Sequence, residues 1–202
     1  MTKLEAVRSR IPDYAKDLRL NLDAVVQRSG LAPADALGCA LAAAWAAGSA
    51  DLVDAFREQL DETDANAALS AAALMGMNNV WYPYVEMADD PELGKQRAEL
   101  RMQAYATHGG VARERFEAFA LAASAVGKCH FCVRSHYELL QKAGWTTVPA
   151  SRRRTTGTRP RRLRCEVRPD GRKKGTALRA GEGQQPRRRR IAAPVFPFTL
   201  HP

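Results

Sequence analysis

Residues 111–144, VARERFEAFALAASAVGKCHFCVRSHYELLQKAG, decide what kind of chain this is. Phe116, Phe119, Ala120 and Ala123 recur at three- and four-residue steps, which predicts a helix over Val111–Val126 with one apolar face. A second helical segment runs from about Lys128 to Ala143, with Gly144 as its C-terminal stop. Between the two stripes stand Cys129-His130-Phe131-Cys132, followed by His136. On a helix, spacings of three and four residues bring Cys129, Cys132 and His136 to one face. Cys129 is expected in the first turn, where unpaired backbone N–H groups and the positive end of the helix dipole favour a thiolate. Lys128 adds a positive neighbour, and His136, one turn on, is placed to exchange a proton with Cys132. Glu117 lies within the apolar stripe of the preceding helix, where a carboxylate needs a reason. Orienting or charging a histidine of the next helix is one such reason.

Upstream the same 3.6-residue period repeats, with no convincing period-2 run. Leu4, Val7 and Ile11 form a short stripe stopped by Pro12. Asp13 is read as the N-cap of a helix over Tyr14–Arg28, whose apolar face is Tyr14, Leu18, Leu22, Val25 and Val26 and which ends at Gly30. Pro33 opens a helix through Leu37, Ala40, Leu41, Ala44 and Trp45 to Gly48. Asp51–Leu60 and Asp64–Val80 follow, and Pro91 is expected to open one through Leu93, Leu100, Met102 and Tyr105 that Gly109-Gly110 stops. About eight helices make an all-α domain, and its density of alanine predicts closely packed axes.

The chain is 46% apolar and 26% charged, enough for a core, and its 14 Gly and 11 Pro exclude a collagen-like chain. Its net charge of +9 is unevenly placed: residues 1–149 carry −4 and residues 150–202 carry +13. The basicity therefore says nothing about the partner of the helical part. Arg, Gly and Pro dominate residues 150–202 with no apolar period, so that segment is expected to be disordered. No apolar run is long enough to span a bilayer, and MTKLEAVRSR has no signal-like apolar core, so a cytoplasmic location is the expectation.

A CxxC pair in such a chain is compatible with redox chemistry, with zinc, or with no function at all. The histidine four residues on favours redox. Structural zinc needs four ligands, usually from two knuckles, and the remaining cysteines are Cys39, in an Ala-rich helix, and Cys165, in the tail. Cys39 reads as a small core residue, His108 as a loop residue, and Met75, Met77, Asn78 and Asn79 as the end of a core helix.

Four blocks, taken in order, resemble the bacterial alkyl hydroperoxidase D family, within the carboxymuconolactone-decarboxylase-like superfamily. They are Pro12-Asp13-Tyr14-Ala15-Lys16-Asp17-Leu18-Arg19-Leu20-Asn21-Leu22; Met75-Gly76-Met77-Asn78-Asn79-Val80-Trp81-Tyr82; Phe116-Glu117 with Ser124-Ala125-Val126; and Cys129-x-x-Cys132-x-x-x-His136. The decarboxylase-like branch often lacks this CxxC, which argues for the hydroperoxidase branch. The resemblance implies an all-helical homotrimer that reduces organic hydroperoxides with a dithiol and binds no cofactor or metal. By that likeness Cys132 attacks the peroxide, Cys129 resolves the sulfenic acid into a Cys129–Cys132 disulfide, His136 accepts the proton of Cys132, and Glu117 holds and charges the relay. It also implies dihydrolipoamide as electron donor, carried on a lipoyl-bearing acyltransferase and regenerated by dihydrolipoamide dehydrogenase, and a partner peroxiredoxin.

The chain departs from the family at three places. His130 and Phe131 occupy the positions between the cysteines, where the family often has a histidine second, and Lys128 replaces a small residue. After Val148 the family continues with apolar helices that close the core, whereas this chain turns arginine-rich. That mixture of GC-rich codons is expected of a gene read out of frame. A genuine basic extension that binds nucleic acid or an anionic surface through Arg152–Arg154 and Arg187–Arg190 is the rival reading. A domain over 1–149 without its closing helices is expected to be an impaired enzyme. A zinc-binding or non-catalytic CxxC helical protein remains the alternative.

Overall fold

The computed structural model describes residues 1–108 and 110–146; the expectations for the 149/150 boundary and the basic tail lie outside the described residues. Among the described residues the architecture is all-helical: α1 (Lys3–Ser9), a 3-10 turn (Asp13–Ala15), α2 (Lys16–Gln27), α3 (Pro33–Ala46), α4 (Ala50–Arg57), α5 (Glu62–Ala88), α6 (Pro91–Gly94), α7 (Ala104–His108), α8 (Arg113–Val126) and α9 (His130–Lys142).

Small side chains decide the packing. α3, α5 and α8 lie against one another, α9 rests on α8 and α5, and α4 bridges α3 and α1. Ala40–Ala44, Ala67, Ala68, Ala71, Ala72, Ala120 and Ala123 are buried at the crossings, with Leu41, Phe56, Phe119 and Leu140 filling the volume between. Gly38 shows how close the axes come, because a Cβ there would lie 2.4 Å from the Phe119 ring. The three central helices are also tied by charge. Arg115 of α8 donates to Asp35 of α3 and forks onto Asp64 of α5, at 2.6 and 2.8 Å. All three side chains are largely buried, and the bond to Asp64 leads in pushing the Arg115 pKa up.

Several sequence expectations are corrected. The helix foreseen from Pro91 through Tyr105 is two short pieces. Asp90 caps α6 and Pro91 opens it, but it stops at Gly94. Leu100 and Met102 lie in the non-helical stretch between the two pieces, 36% and 38% exposed, so the stripe is only partly buried and gives a helix there little support. α5 begins two residues before Asp64, capped by Asp61, and runs eight residues beyond Val80, past Pro83. Asp13 does not cap α2: it sits in the 3-10 turn and accepts from Arg19 at 2.6 Å, while Tyr14 is 94% exposed. His108 ends α7 instead of lying in a loop.

Candidate active site

Chain reversal between α8 and α9 builds the site. Gly127 caps α8, against which Asn79 packs so tightly that a Cβ on Gly127 would come 2.0 Å from its amide nitrogen. Lys128 then takes a left-handed conformation, φ 55°, and the chain turns into α9. The helix therefore starts at His130, two residues later than the sequence suggested, and Cys129 is its N-cap, just ahead of the first turn. In that place the Cys129 sulfur accepts the backbone N–H of Cys132 at 3.2 Å. Donors that a helix start leaves unpaired are thus aimed at sulfur.

Cys129 and Cys132 are joined as a disulfide, their Cα atoms 5.3 Å apart. Both are buried, at 0% and 2% exposure. Phe131 between them points outward and stacks on Tyr82 of α5, ring centroids 4.2 Å apart. Beside Tyr82 opens a cavity of about 600 Å³ whose walls include Trp81, Arg97, Leu100 and Met102. His130 faces away from the sulfurs and pairs with Glu86 at 3.0 Å on the surface.

His136 lies one turn beyond Cys132, as the spacing predicted, and Glu117 reaches it from α8. The Nδ1–H of His136 donates to Glu117 Oε2 at 2.6 Å, with both side chains largely buried. Burial pushes the Glu117 pKa up, but the bond to His136, the charge of that ring and Arg113 behind it outweigh burial, so the carboxyl is held below its ordinary 4.5. Arg113 Nε stands 3.4 Å from the second carboxylate oxygen. The other ring nitrogen, Nε2, faces the thioether sulfur of Met75 of α5 at 3.2 Å. Among the described residues no hydrogen bond links His136 to Cys132 in this disulfide form.

Three of the four residues expected from sequence therefore sit on or at the cap of α9, and the fourth reaches across from α8. Met75 and Arg113 were missed. The only sequence signal for Met75 was its place in the Met75–Tyr82 block, where it reads as core. Cys39 is the core residue expected: its thiol donates to the Ala118 carbonyl at 3.6 Å, and burial, with Asp35 adding and Arg115 opposing, pushes its pKa up to about 12. Among the described residues no group of three His, Cys, Asp or Glu side chains is arranged to hold a metal, and no helix is long and apolar enough to cross a membrane.

The carboxymuconolactone decarboxylase family matches residues 91–149, the stretch that holds both cysteines, Glu117 and His136. A Rhodospirillum centenum protein named alkyl hydroperoxide reductase AhpD is 41% identical over 148 residues, covering 71% of this chain and 79% of its own length. Proteins of the same name from Rhodopseudomonas palustris and Streptomyces griseus are 39% and 43% identical, over 82% and 81% of their lengths. With a disulfide at the start of α9, a histidine–glutamate pair one turn behind it and identity of this extent, the chain belongs to the alkyl hydroperoxide reductase AhpD family.

Proposed function

We propose that this protein is an antioxidant thiol peroxidase that reduces organic hydroperoxides through Cys132 and Cys129. The observation that carries the reading is the Cys129–Cys132 disulfide backed by the His136–Glu117 pair. In the reduced form Cys132 is the thiolate that attacks the peroxide: a sulfur–oxygen bond forms, the O–O bond breaks, and the alkoxide leaves as the alcohol after taking a proton. His136, held at Nδ1 by Glu117, accepts the Cys132 proton at Nε2, is stabilised as the cation by the carboxylate, and returns that proton to the leaving alkoxide. Cys129 then attacks the sulfenic acid, water leaves, and the disulfide closes. A dithiol of the dihydrolipoamide type reopens it by exchange. A protein-bound lipoyl group on an acyltransferase, recharged by dihydrolipoamide dehydrogenase, is the donor we assign. A peroxiredoxin is the protein partner, the homotrimer the assembly, and the cytoplasm the location.

We expect reduced turnover in this chain. The second half of α5 bears on that expectation, because Val80, Tyr84 and Met87 are 70%, 53% and 78% exposed in the single chain, an apolar surface of the kind that further helices or the homotrimer contact would cover. The test is cumene hydroperoxide reduction by the full chain with dihydrolipoamide, comparing the parent with Cys132→Ser and Cys129→Ser. Cys132→Ser should abolish thiol loss on peroxide addition, whereas Cys129→Ser should accumulate a sulfenic acid that a dimedone probe traps. Equal rates in the parent and Cys132→Ser would sink the assignment, and parental turnover matching an intact relative would sink the impairment.

A further inference from the structure

His136 is held from two sides, and only one of them belongs to the relay described above. Glu117 anchors Nδ1 at 2.6 Å. On the opposite edge, Nε2 is turned to the sulfur of Met75, a residue that is 3% exposed and lies on a different helix. A thioether offers a lone pair and no proton, so the contact is a hydrogen bond when Nε2 carries its proton, and a weak one. With the disulfide closed, Cys132 has no thiolate to offer, and the nitrogen that must serve Cys132 rests on methionine instead.

We propose that Met75 is a positioning residue: it holds the Nε2 edge of His136 while the Cys129–Cys132 disulfide is closed and releases it to Cys132 when the disulfide opens. The inference rests on the peroxidase reading for the role of Cys132. Strength decides which partner wins. A thiolate is a charged acceptor and its hydrogen bond outcompetes that of a neutral thioether. The ring keeps its bond to Glu117 as a pivot, so exchange needs a rotation of one side chain and no movement of α9. A stronger neutral acceptor at position 75 would keep Nε2 from turning, and an apolar residue would remove the acceptor that faces Nε2 in the disulfide form. Among the described residues, the charged and titratable groups that bear on the ring come from three helices. Glu117, with Arg113 behind it, comes from α8, and Cys132 from α9 itself, whereas Glu86 of α5 is engaged with His130.

The experiment uses the full chain with nitrogen-15 in its histidine rings, as disulfide and as dithiol. The parent is compared with Met75→Leu and Met75→Gln, and His136→Gln assigns the resonance. Stopped-flow oxidation of each dithiol by cumene hydroperoxide is followed from pH 5 to 9, with an unfolding midpoint for each variant. In the parent, opening the disulfide should move the Nε2 resonance. Met75→Leu should move it in the disulfide form alone. Met75→Gln should hold it in one position in both forms, slow oxidation about tenfold, a fraction of the roughly 10²–10⁴-fold that general-base assistance supplies, and move the rising limb of the rate profile to higher pH. A structural role alone would shift the unfolding midpoint and leave the resonance and the pH limb in place. The proposal is overturned if Met75→Leu leaves the disulfide-form Nε2 resonance unchanged, or if folded Met75→Gln reacts at the parental rate and pH. A parent that does not consume hydroperoxide, yet whose Nε2 follows Met75 and the disulfide, would support the hold and overturn only the peroxidase.

Discussion

Replacing Glu117 by Gln keeps the shape of the side chain and removes its charge. The structure sets the size of the effect. Glu117 and His136 are 13% and 15% exposed and lie 2.6 Å apart, so water screens the pair little. A hydrogen bond to a charged group contributes about 1.5–3 kcal/mol and a neutral one about 0.5–1.5 kcal/mol. The substitution therefore removes about 1–1.5 kcal/mol of support for the charged ring. Arg113 restores none of it, since its side chain is 73% exposed and it faces a neutral amide. If the charged ring forms as Cys132 gives up its proton, that loss appears in the peroxide step as about a tenfold lower kcat/KM. The assay is stopped-flow oxidation of the dithiol protein by cumene hydroperoxide, with urea unfolding alongside. Stability supplies an independent check through pH. The Glu117 pKa is lower in the folded chain than its ordinary 4.5, so its contribution is complete above that pH and is lost as pH falls through the lower, folded value. The stability gap between parent and Glu117→Gln should hold at pH 6 and shrink below about pH 4.5. A parental oxidation rate, or a gap unchanged down to pH 3, would refute the reasoning.

Two further outcomes concern the scaffold. Arg115→Met leaves Asp35 and Asp64 buried without their shared cation, and should cost about 3–5 kcal/mol in urea unfolding; a loss under 1 kcal/mol would show that water reaches the pair. Lys128→Gly relieves a left-handed residue at the entrance to α9, and should raise stability by about 0.5–1 kcal/mol. A lower melting temperature would mean that the Lys128 side chain contributes more than its backbone costs.

Much of the site was legible because α9 is local. Cys132 and His136 share a face through a four-residue step, and any α-helix enforces that relation. Pro33, Gly48 and Gly144 marked helix ends for the same reason, since the backbone groups they govern lie within one turn. Where a prediction failed, local pattern and tertiary burial disagreed. Leu93, Leu100 and Met102 were read as one helical stripe, yet they are only partly buried and the chain between α6 and α7 is not helical. The sequence pattern ended the fifth helix at Val80, and α5 runs on past Pro83 to Ala88.

What the sequence by itself determined is the all-helical character of residues 1–146, the small-residue packing of its centre and the spacing of Cys129, Cys132 and His136 along one segment. Each follows from periodicity and side-chain size, which are properties of neighbours in the chain. The sequence already pointed Glu117 toward a histidine of the next helix, but tertiary structure alone decided that it takes Nδ1 of His136, that Met75 takes Nε2, and that Arg115 gathers Asp35 and Asp64. Those partners stand 19, 61, 80 and 51 residues apart. Which of many carboxylates or methionines meets a given ring depends on where helix axes cross, and that is set by how close the alanine faces of α3, α5 and α8 approach. A one-residue shift in any of them turns a side chain through about 100° and sends it to another neighbour.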